Sequence, residues 1–343
     1  MTIDPDRFIA PSLIGPDGKL TPVQVEQWRA AGYALVDGLF PDALIAEAAA
    51  AAAERFPDPG TVEADELRTF GNTAFPLAGR PAIELTLDHP LLVAVARLLE
   101  CPVSGLRLTQ SDLWPKYGRS EGARDRFDNH DQRIHVDYPN HTLVHPTPWS
   151  RPGAVEAIVY LSGVEDCGGP TAVVPRFGAD DPAYRWPIVD SPGIGDVPWM
   201  NDREAAEAHL AEERPEMAAF RRQLYDRERY TAYRPGTVLL YRHDVWHRGT
   251  PLRSGARRFA LNLTYRRADC PWLNTLNPGW AWSMYRRDQL MERLIGAATV
   301  EQRAVLGFPP PGSPYWCEET LEAVTARYEA FGFDPAPYRP AET

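Results

Sequence analysis

Between residues 104 and 267 the chain is cut into short β-branched or alternating runs, at 105–110, 133–138, 155–161, 171–174, 237–241 and 257–265, with Gly, Pro and Asp between them. Regular helix–strand alternation is missing, which argues against a parallel βαβ sheet and for two antiparallel sheets packed face to face. The expected fold is mainly β with flanking helices. Its core is a double-stranded β-helix of the jelly-roll or cupin-like kind, with helical N-terminal support and a helical C-terminal extension.

Local signals place the helices. Thr21 is a candidate N-cap, Pro22 takes the first helical position, Gln24 completes a capping box, and Gly32 ends the helix. A short strand follows at 33–36, then an alanine-rich helix at 43–56 and another opened by Asp88 and Pro90 that runs to about Leu99. One excursion, 176–234, is too long for an idle connection. Its second half, 202–229, is helical in composition, and its first half carries Trp186 and Trp199, so it is either a lid over a pocket or a packed surface insertion. Past Arg267 the chain turns helical again at 282–297, 299–306 and 318–331, which suits bracing of the sheet or a dimer surface. The whole reads as a single domain, 1–343: a helical N-terminal part (1–103), a β core (104–267) with the insertion, and a C-terminal extension (268–343).

A formal charge of −11 without any Lys/Arg cluster excludes nucleic acid and an anionic membrane surface as partners. The N-terminus has no basic segment followed by an apolar one, and no stretch is long enough to span a bilayer, so a cytoplasmic protein is expected. Cys101, Cys167, Cys270 and Cys317 are scattered without a CxxC pair, which points to four buried thiols and not to disulfides or a thiolate zinc site. A small molecule is the expected partner of a monomer or homodimer.

The residues that can carry chemistry are His135-Val136-Asp137 and, a hundred residues on, Trp246-His247 and Arg258. A His-x-Asp arises easily by chance, so its surroundings must carry the case. Alternate residues on a strand share a face; His135 and Asp137 could therefore grip one ion while His247 closes the site. Two imidazoles and one carboxylate suit non-haem iron(II), leaving adjacent positions open. His243 competes with His247, since a helix would put both on one face as in zinc sites. Strand character at 237–241 and Pro251 favour His247, and a zinc hydrolase using the pair would lack a Glu between them as general base. Arg258 shares a strand face with Ala260, Asn262 and Thr264, where a guanidinium would need an anion such as a dicarboxylate; Arg257 points the other way, to solvent or an acidic side chain. Tyr138, Asn140, His141 and His145 follow the carboxylate and are candidates to line the substrate pocket, as are Trp186 and Trp199.

From Leu20 to Arg266 these elements fall in an order that resembles the phytanoyl-CoA dioxygenase family of iron(II)- and 2-oxoglutarate-dependent oxygenases. They are the Leu20-Thr21-Pro22 helix ending in Ala31-Gly32-Tyr33; the strand end with Lys116; His135-Val136-Asp137; Asp166-Cys167-Gly168-Gly169-Pro170-Thr171 leading to Val174-Pro175; Pro235-Gly236-Thr237-Val238; and Trp246-His247-Arg248-Gly249 before Arg258. The resemblance implies that His135, Asp137 and His247 bind Fe(II), that Arg258 binds the distal carboxylate of 2-oxoglutarate, and that Gln110 is a polar cosubstrate contact. It also implies consumption of O2, with ascorbate as reductant in vitro, and hydroxylation of a C–H bond with succinate and CO2 as co-products. Arg176-Phe177-Gly178 replaces the family's usual Gly-Ser-His, and Ala260 stands where related enzymes carry a hydroxyl. Asp137 fills the position that related halogenases leave vacant for halide. The shortage of basic residues weighs against an acyl-CoA substrate. The alternative is a catalytically silent cupin-like protein that binds a metal or ligand.

Overall fold

The computed structural model of the protein describes residues 4–66, 81, 84–119, 130–138, 141–184, 203–271, 290–305 and 308–340. Ten strands form two sheets. The larger contains β2 (Ser12–Leu13), β3 (Tyr33–Asp37), β4 (Leu106–Tyr117), β5 (Ala154–Tyr160), β8 (Val238–Tyr241) and β10 (Arg257–Arg267), in the spatial order β2-β3-β8-β5-β10-β4. The smaller contains β1 (Phe8–Ile9), β6 (Thr171–Val173), β7 (Arg229–Thr231) and β9 (His247–Gly249), in the order β1-β7-β6-β9. All pairings are antiparallel except β2 with β3 and β1 with β7. This is the expected double sheet with flanking helices.

The outer face of the large sheet carries the main core. Phe259, Leu261, Leu263 and Tyr265 of β10 join Val155, Ala157 and Val159 of β5 against Trp28 of α1 (Pro22–Ala31), Leu44, Ile45, Ala48 and Ala52 of α2 (Asp42–Arg55), and Leu91, Val95 and Leu98 of α3 (His89–Leu98). Each fully buried Leu, Ile or Phe contributes roughly 1.5–3 kcal/mol, so this layer dominates the stability of the molecule. The capping box forms as its residues require: Gln24 N donates to Thr21 Oγ1 at 3.2 Å and Thr21 N to Gln24 Oε1 at 2.8 Å. Gly32, at φ 87°, closes α1 by donating its N–H to Trp28 O. The N-terminal part is more than a support, because β1 to β3 belong to the sheets themselves.

Three expectations need correction. Residues 133–138 form no regular strand; a single pair, His135 with His247, bridges them to β9. The backbone turns away directly afterwards, because the N–H groups of Asp137 (3.1 Å) and Tyr138 (3.0 Å) both donate to His243 O and end any ladder. Of the four free cysteines only Cys167 is buried; Cys101, Cys270 and Cys317 are half-buried. The C-terminal extension braces the loop after Asp137, not the sheet. Its helices α6 (Leu290–Ala297), α7 (Val300–Val305) and α8 (Glu318–Tyr328) form a cluster in which Ile295, Phe308, Trp316, Val324 and Tyr328 enclose Leu143 and Val144. Arg327 Nη1 donates to Thr142 O at 2.7 Å and Tyr328 Oη to Leu143 O at 2.6 Å.

The described half of the insertion is helical as expected, in α4 (Arg203–Glu213) and α5 (Pro215–Arg227). Its inner face grips the irregular segment: Arg221 Nη2 donates to Ile134 O at 3.0 Å, and Tyr225 Oη accepts from Ile134 N at 3.0 Å. Trp186 and Trp199 lie outside the described residues.

The turn joining β4 to β10 tests how tightly this frame is built. Gly118 N donates to Ala256 O at 2.8 Å, and a Cβ there would stand 1.8 Å from the carbonyl oxygen of Arg253. Gly118→Ala must therefore move backbone, with an expected loss of about 2–3 kcal/mol in urea unfolding. A denaturation curve superimposable on the wild type would show that the turn adapts instead.

Candidate metal centre and cavity

The inner faces of the two sheets enclose a cavity of about 290 Å³. Register decides which residues reach it. On β10, Arg258, Ala260 and Asn262 line the cavity, opposite Lys116, Trp114 and Asp112 of β4. On β5 the lining includes Glu156 and Ile158, and the small sheet adds Thr171, His247 and Gly249.

His135, Asp137 and His247 meet in the wall of this cavity, with one potential ligand atom from each lying within 4.8 Å of the others. Among the described residues they are the one cluster of this kind. His247 Nε2 is 3.2 Å from Asp137 Oδ2, His135 Nε2 is 3.6 Å from Asp137 Oδ1, and the two ring centroids are 4.4 Å apart. The bridge sets this up: His135 N donates to His247 O and His247 N to His135 O, both at 2.9 Å, which puts the two side chains opposite each other on one face.

Both rings are locked the same way. His135 Nδ1 lies 3.0 Å from Arg133 O and His247 Nδ1 lies 3.0 Å from Val245 O, in each case the carbonyl two residues earlier. A carbonyl can only accept, so each Nδ1 carries the hydrogen and each Nε2 presents its lone pair to the other ligands. Burial first, and then the neighbouring His247, push the His135 imidazole down to about 3, which keeps it neutral and able to ligate. Burial by itself would raise Asp137, but the adjoining His247 and His135 hold its carboxyl well below the usual carboxylate range. Tyr241 Oη donates to Asp137 Oδ2 at 2.8 Å, and burial beside Asp137 and Glu156 keeps that phenol protonated and hence a donor. A neutral, oriented pair of imidazoles and an ionised carboxylate are the donor set that a divalent cation requires.

His243 stands apart from the cluster. Its backbone carbonyl receives the two N–H groups that end the His135 bridge, and its ring faces Tyr138 at 6.3 Å and Glu156, with Nδ1 at 3.9 Å from Oε1. Burial pushes its imidazole down to about 3.

Arg258 points into the cavity as its strand alternation requires. Nη1 donates to Gly169 O at 2.7 Å, and the guanidinium carbon lies 5.9 Å from the centre of the Tyr233 ring. Tyr233, Tyr160 and Cys167 surround it, so among the described residues no carboxylate neutralises it. Arg257, on the opposite face, donates to Phe56 O and Pro57 O and lies 3.2 Å from Asp58. Lys116, the register partner of Arg258, is 3% exposed, and its Nζ donates to Thr250 O at 2.8 Å.

The remaining sequence candidates divide. Gln110 lines the cavity but pairs with Thr264, six residues along both strands from the Arg258–Lys116 pair. At roughly 3.3 Å per residue that is about 20 Å, the opposite end of the cavity from Arg258. His141 lines the cavity, whereas Tyr138 does not: it is buried with Ile134, Val136, Val174 and Trp246 on the far side of the segment. His145 packs edge-on against Tyr138 at 5.2 Å and lines a separate, smaller pocket. Asn140 lies outside the described residues. Sequence reasoning missed Tyr241 and Glu156. Glu156 did leave a signal, as the one charged residue inside the apolar run 154–160.

No known family model and no curated protein sequence matches the chain. Its backbone is similar to that of AviO1 from Streptomyces viridochromogenes Tue57, at 16% identity over 73% of this chain and 96% of that one, with a TM-score of 0.44. EctD from S. alaskensis in its apoform is 17% identical over 75% of this chain and 80% of that one, with a TM-score of 0.47. EvdO2 from Micromonospora carbonacea var. aurantiaca, complexed with 2-oxoglutarate, is 16% identical over 78% of this chain and 98% of that one, with a TM-score of 0.46. These are likenesses of backbone, and the centre described above stands on this chain's own residues.

Proposed function

We propose that the protein is an iron(II)- and 2-oxoglutarate-dependent dioxygenase that hydroxylates a C–H bond of a small molecule. The observation that carries this reading is the pair of imidazoles whose Nδ1–H groups are fixed on carbonyls, aiming both Nε2 atoms and the Asp137 carboxylate at one point inside a cavity that also holds Arg258. The resemblance in sequence to the phytanoyl-CoA dioxygenase family supports it.

In this reading His135, Asp137 and His247 hold the metal by one face and leave the cavity side open. Bound there, ferrous iron supplies oxygen activation coupled to the oxidative decarboxylation of 2-oxoglutarate to succinate and CO2. The chain's own residues bind and orient. Arg258 and Lys116 face each other across β10 and β4, and two adjacent cations in a low-dielectric wall repel unless an anion lies between them. The distal carboxylate of 2-oxoglutarate meets that need, since the guanidinium fork binds a carboxylate in two places. Tyr160 and Tyr233, stacked at 4.0 Å beneath Arg258, keep water from its inner side. Tyr241 fixes the carboxylate of Asp137 in rotation, so that one oxygen stays directed at the metal.

Succinate release from 2-oxoglutarate with Fe(II) and ascorbate, in the presence of a metabolite library, tests the function. A product one oxygen atom heavier than its substrate is expected; bound metal without succinate in any mixture would establish the silent cupin-like protein instead. Tyr241→Phe should weaken metal binding about 10-fold or more while leaving the fold intact. Calorimetric titration with Mn(II) measures this, and unchanged affinity would remove Tyr241 from the centre. Arg258→Ala should raise the Kd for 2-oxoglutarate by roughly 30- to 150-fold, the equivalent of about 2–3 kcal/mol for a charged hydrogen-bonded partner. Equilibrium binding to the Mn(II)-loaded chain reads this out. Normal binding would place the cosubstrate elsewhere.

A further inference from the structure

At the end of the cavity remote from Arg258, four side chains stand in one cross-strand row. Tyr241 of β8 is the register partner of Glu156 on β5, Glu156 of Thr264 on β10, and Thr264 of Gln110 on β4. Glu156 is 4% exposed and lines the cavity, and its Oε1 has no hydrogen-bond partner. His243 Nδ1 comes nearest in charge, at 3.9 Å, beyond hydrogen-bond reach. A buried carboxyl oxygen without a partner costs about 1–3 kcal/mol, more if it is charged. Within a cavity such an atom is a site for a ligand.

The direction of the hydrogen bonds fixes which kind. Gln110 Nε2 donates to Asp112 Oδ2 at 2.6 Å, so the amide oxygen of Gln110 faces Thr264. Thr264 has one hydroxyl hydrogen and sends it to Gln110 Oε1 at 3.1 Å. The close contact between Thr264 Oγ1 and Glu156 Oε2 must then be made with a hydrogen supplied by Glu156. Oε2 carries that proton, and Oε1 is left as a carbonyl-type acceptor. Burial, and then Asp137, push the Glu156 carboxyl well above its usual range, in keeping with a neutral acid.

We propose that this row is the substrate-recognition wall, with Glu156 held as a neutral acid whose Oε1 accepts a hydrogen bond from a hydroxyl of an uncharged polyol or glycoside. This rests on the reading of the cavity as an oxygenase site and names the substrate class for it. Gln110 then belongs to the substrate end and not to the cosubstrate. A carboxylate substrate would meet Asp112 and the lone pairs of Oε1 with no cation nearby, since Arg258 and Lys116 stand about 20 Å away along the strands. The cavity, at about 290 Å³, restricts the ligand to a small one.

The test uses the full chain loaded with Zn(II) and 2-oxoglutarate, and saturation-transfer NMR against uncharged polyols and methyl glycosides, with octanoate and cyclohexylamine as charged comparators. Glu156→Leu removes the acceptor, whereas Glu156→Gln keeps it and supplies an N–H to Thr264. Polyol or glycoside members should bind the wild type and Glu156→Gln alike and bind Glu156→Leu about 10-fold more weakly or worse. Infrared difference spectra of the wild type against Glu156→Gln should lose the carbonyl stretch of a protonated carboxyl. The proposal is overturned if no member distinguishes the wild type from Glu156→Leu, if Glu156→Gln loses as much as Glu156→Leu while cyclohexylamine binds, or if the protonated-carboxyl band is missing. Binding of 2-oxoglutarate to the wild type, measured alongside, separates the two readings. Its failure strikes the oxygenase assignment, whereas normal cosubstrate binding with any of those three outcomes strikes the substrate wall alone.

Discussion

Two reciprocal hydrogen bonds, His135 N to His247 O and His247 N to His135 O, hold the centre together. They join a segment that is otherwise irregular to the edge strand of the small sheet, and they do so at the two residues whose side chains must converge. A hydrogen-bonded antiparallel pair places its side chains on the same face, so backbone geometry alone brings the two imidazoles together. Asp137 follows two residues later on that face and is caught by Tyr241 from the large sheet. The site is therefore a seam: one sheet supplies His247, the other Tyr241, and the linking segment His135 and Asp137. Any change in how the sheets face each other would separate the ligands.

The large sheet bears a second constraint, since it is buried on both faces for different reasons. Toward the helices it presents Phe259, Leu261, Leu263 and Tyr265; toward the cavity the same strand presents Arg258, Ala260, Asn262 and Thr264. A period of two does the sorting, and a slip of one residue would drive Arg258 into the aliphatic layer and Leu261 into the cavity. Long pairing of β10 with β4, from Arg257 with Tyr117 to Arg267 with Leu106, makes that slip costly. The same alternation separates the charges within the cavity. Lys116 and Arg258 lie at one end and Asp112 and Glu156 at the other, so the wall is polarised along the strands.

How much of this was legible in the sequence follows from the range of the interactions involved. Capping residues act over four positions, and the helix begun by Thr21 and ended by Gly32 lies where they put it. Alternation acts along one strand, and it assigned Arg258 and Arg257 to opposite faces correctly. Applied to residues 134–138 it would also have excluded Tyr138, which shares the parity of Ile134 and Val136 and is buried with them. Gln110 was placed on the right strand and the right face, but its distance from Arg258 depends on cross-strand register, which no local pattern encodes. The partnership of Tyr241 with Asp137 spans 104 residues and is invisible to any reading by segments.

The parts of the chain that looked least chemical bear directly on the centre. A loop such as 133–145, bridged to a sheet at one pair, would open and close freely on its own, and a metal site needs its ligands held within a fraction of an ångström. Rigidity comes from outside the double sheet. Insertion helix α5 holds Ile134 through Arg221 and Tyr225, and α8 and its flanks hold residues 142–145 through Arg327, Tyr328 and Tyr315. Arg248, next to His247 and fully buried, pairs with Asp131 just before the segment and with Glu228 just after α5, tying β9 to both. Most of these contacts run from a long side chain to a backbone carbonyl, so they fix the path of the main chain whatever the side chains along the loop. A loop held in this way can vary in sequence at the positions that face substrate while His135 and Asp137 stay where the metal requires them.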